Sequence, residues 1–512
     1  MKITVNQLGY TPEADKIAVI CGGTPEQAQA LDDAGRVVLT VPVRDAGELW
    51  GDRTATADFS ALKTPGLYTL RCGDAVSHPF RVAEAPYAAC LTALTDMFYL
   101  QRCGTAIGSE AGDFAHGACH HTPATVYGTD ERREVSGGWH DAGDYGRYVV
   151  AAAKAVADLL LAWRWNPRAF DAPGLTRLTD EARWELEWML KMQREDGAVY
   201  HKVTCASFCG MEVMPDEETE PLVISPVSTT ATADFAACMA LASRVYAAED
   251  AAFASAMLSA ARRACAWVDE QAPMCFRNPE GVVTGEYGDP AGDADERLWA
   301  HVELAVTTGE AAYAEVALAE LRRADKDSAL LGWEDMSGYA AIDGCALSGE
   351  AGELCRAWVV RAAGKVAGRV NAYGIALTED FPWGSNMSVA NDGMLLIAAY
   401  RLTGDAAFLR HARRQADYLL GVNPMDVCYV TGFGEAPVRH PHHRPSASRG
   451  YAMPGMLSGG PDSGLHDPCA AELLQGRQGA KCFVDDTRSY STNEITIYWN
   501  SPLVALLAAL TA

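Results

Sequence analysis

The rhythm of hydrophobic and polar positions changes about eighty residues into the chain. Before that point apolar residues come in short runs: Lys16–Cys21 (KIAVIC), Arg36–Val43 (RVVLTVPV) and Gly66–Arg71 (GLYTLR). Gly, Pro and Asp clusters separate these runs, which predicts a small antiparallel β-sandwich. Pro86 follows the last run (HPFRV), and a helical pattern begins just after it. The boundary is therefore placed near Ala83–Pro86, dividing residues 1–83 from 84–512. Further on, apolar residues recur about one helical turn apart, as in Trp184, Trp188 and Met192 or Leu395, Ala399 and Leu402. Val302–Tyr313 (VELAVTTGEAAY) and Ala398–Phe408 (AAYRLTGDAAF) both run helix, Thr-Gly turn, aromatic, helix, and Leu241–Phe253 is a looser third copy. A helical hairpin cannot bury its apolar face alone, so the repeat predicts hairpins arranged as an α/α toroid. The segments between helices are long and rich in Gly, His, Asp and aromatics, as functional loops are.

Charge and cysteine content narrow the function classes. A net charge of -25 excludes nucleic acid and an anionic membrane surface as partners, since both require clustered Lys and Arg. No stretch reaches the roughly eighteen apolar residues of a spanning helix, and MKITVNQLGY lacks the apolar core of a secretory signal. Fifteen scattered cysteines, an odd number, suggest reduced thiols and a cytoplasmic setting; an upstream signal already removed would make the protein a secreted one.

Two segments carry candidate chemistry. In Gly137–Val149 (GGWHDAGDYGRYV), Asp141 and Asp144 stand three apart around a Gly, so a tight turn can aim both carboxylates at one water; an N-cap or turn Asp is the structural alternative. In Ser491–Asn500 (STNEITIYWN), Glu494 sits among apolar neighbours that can raise its pKa, although a Glu near a helix start is also favoured by the dipole. Together they suit glycoside hydrolysis by paired carboxylates.

The first segment resembles the GGWYDAGD motif of glycoside hydrolase family 9, the cellulase family with an (α/α)6 barrel. Val430–Arg444 (VTGFGEAPVRHPHHR) and Asn493–Ala505 (NEITIYWNSPLVA) resemble that family's second and third signatures. The opening VNQLGYTPEADKIAV is similar to the immunoglobulin-like module preceding the barrel in one branch. The resemblance implies a mainly α fold, with an (α/α)6-barrel catalytic domain after a small all-β immunoglobulin-like sandwich. It implies Asp144 as general base, Asp141 as the companion holding the nucleophilic water, and Glu494 as general acid. It also implies inversion by single displacement, with an acid-to-base gap of roughly 6.5–9.5 Å. One departure stands near the acid, where Tyr498, Trp499 and Asn500 replace the family's frequent Asp-Tyr-Asn.

In HPHHR the resemblance implies His442 and Arg444 as sugar contacts. Adjacent His442 and His443 cannot easily share one ion, and the Arg disfavours a cation. Trp383 (FPWGSN) matches the family's Trp-Gly-Ser segment and can stack on a pyranose, and Trp333 (GWED) is a candidate of the same kind. Trp139 is read as structural. His201 (VYHKVT) stands where this branch carries a His near the substrate, with a satisfied structural His as the alternative.

Cys103, Cys119, His120 and His140 offer two thiolates and two imidazoles, a structural zinc set, with His116 and His121 as alternative ligands. The resembling branch also carries His at position 140 and binds zinc, which would pin the residue beside Asp141. Cys205 and Cys209 read as ordinary thiols. GDADERLW resembles the family's calcium loop, implying Asp295 and Glu296 as ligands, with Asp335 as a further oxygen donor. A helix N-terminus rich in acids is the bland alternative.

The function expected is inverting hydrolysis of β-1,4-glucosidic bonds in cellulose-like glucans or cello-oligosaccharides. An exo-acting β-glucosidase or β-glucosaminidase, acting on imported oligosaccharides, would use the same carboxylates. A non-catalytic carbohydrate-binding protein is the alternative of another class, opposed by the retention of Asp141, Asp144 and Glu494 together.

Overall fold

The computed structural model describes residues 1–511. Contacts divide the chain into two compact units, Phe98–Ala363 and a second made of Met1–Met97 with the C-terminal segment from Gly364 onward.

In the second unit the first eighty residues form eight strands: β1 (Lys2–Thr4), β2 (Ile17–Cys21), β3 (Gln27–Asp32), β4 (Val37–Leu49), β5 (Asp52–Asp58), β6 (Gly66–Cys72), β7 (Ala75–Val76) and β8 (Phe80–Val82). They are ordered β1-β2-β5-β4-β3-β6-β7, with β8 also on β6. The long β4 serves both halves: its start pairs antiparallel with β3 (Gln27 opposite Pro42) and its end with β5 (Val43 opposite Ala57). A strand that changes partners along its length makes the corner of a sandwich. Every second residue then points inward, and Ile3, Ala18, Ile20, Ala28, Ala30, Ala55, Ala57 and Leu70 fill the core around Tyr10, Phe59 and Phe80. The three runs found in the sequence are β2, β4 and β6. The less apolar β3 and β5 carry no comparable signal, because alanine and threonine supply their inward faces.

Beyond β8 the regular structure is mostly helical. The helices are α1 (Ala88–Leu100), α2 (Val149–Trp165), α3 (Leu178–Met192), α4 (Thr229–Tyr246), α5 (Ala251–Asp269), α6 (Ala294–Thr308), α7 (Ala311–Arg323) and α8 (Ser337–Gly344). They continue with α9 (Gly349–Ala367), α10 (Ser385–Thr403), α11 (Ala406–Leu419), α12 (Arg444–Arg449), α13 (Pro468–Leu473), α14 (Tyr490–Asn493) and α15 (Ile497–Leu510). In Phe98–Ala363, α4 packs against α2, α5 and α6, and α6 against α7 and α8. In the other unit α10 packs against α11 and α15. The repeated motifs are these hairpins: α6 stops at Gly309 and α10 at Gly404, both left-handed, and each next helix starts two residues on. Asp250 and Asp405 cap α5 and α11 through their carboxylates. Leu395 and Ala399 are buried on α10 as their spacing predicts, but Leu402 is exposed in its last turn.

A small five-stranded sheet, ordered β10-β9-β13-β12-β11, lies within Phe98–Ala363. Its strands are β9 (Ala124–Val126), β10 (Arg132–Arg133), β11 (Arg147–Tyr148), β12 (Lys202–Thr204) and β13 (Val223–Ile224). It matters because β11 follows directly on the Asp141–Asp144 loop and ties it to β12.

Candidate active site

The loop carrying Asp141 and Asp144 is anchored at both ends. Cys103 N–H donates to Gly138 O at 2.7 Å, His140 N–H to Gln101 O at 2.7 Å, and Asp141 N–H to Gly146 O at 2.9 Å. Trp139 is buried with its indole N–H on Glu181, the structural role expected of it. Both aspartates are buried on the tight turn so formed.

Asp144 accepts the Gly146 N–H at 2.9 Å and the Tyr148 hydroxyl at 3.2 Å, both on Oδ2. Its Oδ1 is therefore the oxygen left to receive a proton. Asp141 accepts the Tyr287 hydroxyl on Oδ2 at 2.5 Å, while its Oδ1 has no hydrogen-bond partner among the described residues. Burial, and then the charge of Asp144, push the Asp141 carboxyl well above the usual carboxylate range. Two carboxylates so placed favour a polar guest that gives each of them a proton to share.

Tyr287 and Tyr148 had no signal in the sequence. Their rings meet at 4.8 Å, and Trp333 meets Tyr287 edge to face at 5.0 Å, which sets Trp333 against the tyrosine that holds Asp141. Tyr287 holds a left-handed φ of 50°, unusual for an aromatic residue and a form of local strain found at functional positions.

In the other unit, Glu494 follows the single turn of α14 and is partly exposed. The HPHHR loop is laid against it: His442 bridges to Glu494 in parallel, and the His442 N–H donates to Asn493 O at 2.8 Å. His442 Nδ1 lies 2.7 Å from Thr487 O, which fixes the tautomer with hydrogen on Nδ1. Asp485, unnoticed in the sequence, holds the two segments together by accepting Arg439 N–H, His440 N–H and the Asn493 side-chain amide. Arg444 opens α12 and is buried. Trp383 is 43 % exposed and faces Tyr490 at 5.4 Å and His466 at 6.4 Å, an open aromatic face of the kind that stacks on sugars. Asn500, in the stretch that departs from the family pattern, serves the backbone by accepting from Leu457 N–H and donating to Leu94 O.

His201 corrects an expectation. It is fully buried, with Nδ1 2.8 Å from Ser228 Oγ, Nε2 3.0 Å from Glu286 O, and its ring stacked on Phe276 at 3.7 Å. Burial lowers its pKa to about 3. Both nitrogens are spent inside the fold, so it is a structural histidine and not a sugar contact.

The cysteine–histidine set does assemble. The ligand atoms of Cys103, Cys119, His120 and His140 lie within 4.8 Å of one another, and all four residues are buried. His121 is exposed, outside this set. The Cys119 thiol is held below its ordinary value, chiefly by its hydrogen bond with Cys103. Burial opposes a charge on His120, but Cys103 and Glu218 outweigh it and raise the imidazole to about 9. Buried sulfur and nitrogen donors converging in a field that favours positive charge fit a zinc-class ion. Cys205 is less ordinary than expected: with Glu218 it forms a second group of possible ligand atoms around His120.

Of the calcium candidates, Asp295 lies against Glu296 and is raised by burial, with the charge of Asp335 among the further causes. Asp335 gives Oδ1 to the Ser337 N–H at 2.9 Å. A further carboxylate beside Asp295 and Glu296 is Asp234, on α4. Neither of its oxygens has a hydrogen-bond partner among the described residues, nor has Glu296 Oε2. Burial, and then neighbouring carboxylates, hold both groups well above the carboxylate range. Orphaned buried oxygens of this kind fit a hard cation. A lone Asp in the apolar stretch TATADFAAC was the available signal.

A mostly helical domain behind a β-sandwich, with paired buried aspartates on one loop, defines a class of carbohydrate-cleaving hydrolases. Residues 87–507 match glycosyl hydrolase family 9 and residues 1–77 match the cellulase N-terminal immunoglobulin-like domain, so the chain belongs to glycosyl hydrolase family 9. It is 37 % identical to a cellodextrinase of Butyrivibrio fibrisolvens, over 99 % of this chain and 99 % of that protein. Among solved structures it superposes on AaCel9A in complex with cellobiose-like isofagomine with a TM-score of 0.94, at 40 % identity over 100 % of both chains. It also superposes on a zinc-binding triple mutant of the family 9 endoglucanase J30, with a TM-score of 0.91 at 32 % identity over 98 % of this chain and 99 % of that one. The fold expected from the sequence, a mainly helical catalytic domain behind an immunoglobulin-like module, is the fold of these relatives.

Proposed function

We propose that the protein hydrolyses β-1,4-glucosidic bonds of cello-oligosaccharides by single displacement with inversion. Asp144 is the general base, Asp141 its partner in holding the nucleophilic water, and Glu494 the general acid. The observation that carries this reading is the aspartate pair: Tyr148, Gly146 and Tyr287 occupy one oxygen of each carboxylate and leave the other to water. As the water attacks the anomeric carbon, Asp144 Oδ1 takes its proton and Glu494 protonates the departing glycosidic oxygen. His442, Arg444, Trp383 and Trp333 are the proposed sugar contacts. The cellodextrinase relative and the cellobiose-like ligand of AaCel9A support short β-1,4-glucans as the substrate.

Zinc is the ion proposed for Cys103, Cys119, His120 and His140, where it would supply a structural cross-link beside Asp141 and no chemistry of the reaction. Calcium is proposed at Asp295 and Glu296, with Asp335 and Asp234 as further oxygen donors. Fifteen free thiols support a reducing, cytoplasmic setting, which fractionation of the source cells checks.

The test is proton NMR of early cellopentaose hydrolysis with Glu494→Gln as control. Fresh α-anomer product that is absent in the variant supports the reading, and product lengths separate internal from terminal cleavage. Fresh β-anomer would sink the inverting route, and turnover of chitosan oligosaccharides alone would move the substrate to glucosamine polymers.

A further inference from the structure

We propose that Cys265, Asp269 and His301 form a further metal site, distinct from the Cys103 quartet, for one zinc-class divalent cation. Cys265 and Asp269 stand four residues apart on α5 and so share one face, and His301 reaches them from α6. The sulfur, one carboxylate oxygen and one ring nitrogen lie within 4.8 Å of one another. Cys265 and His301 are buried, while the Asp269 side chain is 48 % exposed and gives an ion a way in.

The orientation of the imidazole makes this more than a chance grouping. His301 Nδ1 lies 2.8 Å from Glu320 Oε2 on α7, so the hydrogen sits on Nδ1 and the Nε2 lone pair is turned the other way. There Nε2 meets Asp269 Oδ1 at 3.1 Å. A ring lone pair and a carboxylate at that distance repel unless something positive lies between them. A proton on Nε2 is one solution, and it requires only these two groups. The third donor faces the same point: the Cys265 thiol donates to Asp269 Oδ2 at 3.9 Å, and loss of that proton would add a thiolate to the ring nitrogen and the carboxylate. Ligands bound to one tetrahedral zinc at about 2.0–2.3 Å stand roughly 3.3–3.8 Å apart, so the three atoms, within 4.8 Å of one another, need draw together by only about an ångström to share an ion. Mixed sulfur, nitrogen and oxygen donors suit zinc better than calcium or magnesium. Three protein ligands and a fourth position toward solvent match zinc sites that keep one position for water. Such an ion would pin α5 to α6 and stabilise the folded chain by mass action.

The test counts metal and does not depend on activity. The protein is stripped by a chelator, reloaded with Zn²⁺ or Co²⁺, and analysed for metal per chain in the wild type, Cys265→Ala, His301→Gln and Asp269→Asn. Asp269→Asn, at the exposed position, keeps the question answerable if a buried substitution prevents folding. The expected result is one equivalent fewer in each folded variant, with weaker cobalt–thiolate absorption in Cys265→Ala. Zinc-dependent thermal stabilisation should also shrink. Equal metal content in the wild type and folded variants would overturn the proposal and leave a proton on His301 Nε2 as the occupant.

Discussion

His120 serves two neighbours with one ring: Nε2 lies 2.9 Å from Glu218 Oε2, and Nδ1 lies 3.4 Å from His140 Nε2 inside the cysteine–histidine set. Its backbone is left-handed, with φ of 45°, so the loop is bent to present the ring this way. The carboxylate holds the hydrogen on Nε2 and turns Nδ1 toward the thiolates, as outer carboxylates do for metal-binding imidazoles.

Removing Glu218 should therefore weaken metal binding without touching a proposed ligand of the quartet. Glu218→Ala is expected to lower zinc affinity by about 10–100-fold, measured by competition with a chromophoric chelator. Glu218→Gln, which keeps an acceptor, should recover part of the loss. Unchanged affinity in both would deny Glu218 this orienting role.

Tyr287 steadies Asp141 through a single hydrogen bond. Tyr287→Phe should cut kcat on a soluble cello-oligosaccharide by roughly tenfold, the worth of one buried hydrogen bond, with little change in KM. A KM effect alone would mean that the hydroxyl contacts sugar instead.

Gly138 leaves no room for a side chain. At its φ of 74° an added Cβ would lie 2.7 Å from the Trp188 indole, in a backbone region that disfavours L-residues. Gly138→Ala should destabilise the chain by about 2–4 kcal/mol in denaturant titration and lower activity, because the strain falls on the loop leading to Asp141. Wild-type stability would show that the loop yields at no cost.

Asp417 links stability to pH. Its Oδ1 accepts the Asn6 side-chain amide at 2.8 Å, its Oδ2 has no partner among the described residues, and burial raises its carboxyl to about 6. The folded state thus holds a proton more tightly than the unfolded chain, whose Asp titrates near 3.9. That contribution is full below about pH 3.9 and is lost as pH rises through about 6. Asp417→Asn, which still accepts from Asn6, should match the wild type near pH 4 and exceed it by about 2–3 kcal/mol at pH 7. Parallel stability curves across that window would rule the linkage out.

Legibility followed chemistry more than architecture. The Asp141–Asp144 loop and Glu494 could be singled out because each stands in a long motif that resembles a family signature, and the four zinc candidates because Cys and His are uncommon and one of the four, His140, adjoins Asp141. The helical hairpins declared themselves through Thr-Gly stops at Gly309 and Gly404. Tyr287, Asp485 and Glu218 were silent, since each acts on a residue distant in sequence and sits in an ordinary-looking segment, and Asp234 showed only as a lone acid in an apolar stretch. His201 misled for the converse reason: a motif position says where a ring is, and only Ser228, Glu286 and Phe276 reveal what it is doing there.

The sandwich is tied to the far end of the chain at several points. Asn6 meets Asp417, Gln7 accepts from Glu435 and Ala436, the Trp50 ring stacks on Tyr373 at 5.5 Å, and Asp52 pairs with Lys481. Sequence separations above 400 residues, as for Asn6 and Asp417, have a consequence during synthesis. At about 5–20 residues per second, the first strands wait tens of seconds before their partners leave the ribosome. For that interval the sandwich must stand on its own core while Asn6, Gln7 and Trp50 lie open to solvent and to chaperones. The last hundred residues, which bring Glu494, also bring the partners of Asn6 and Gln7, so the nascent chain closes its earliest-made module only as it gains its acid.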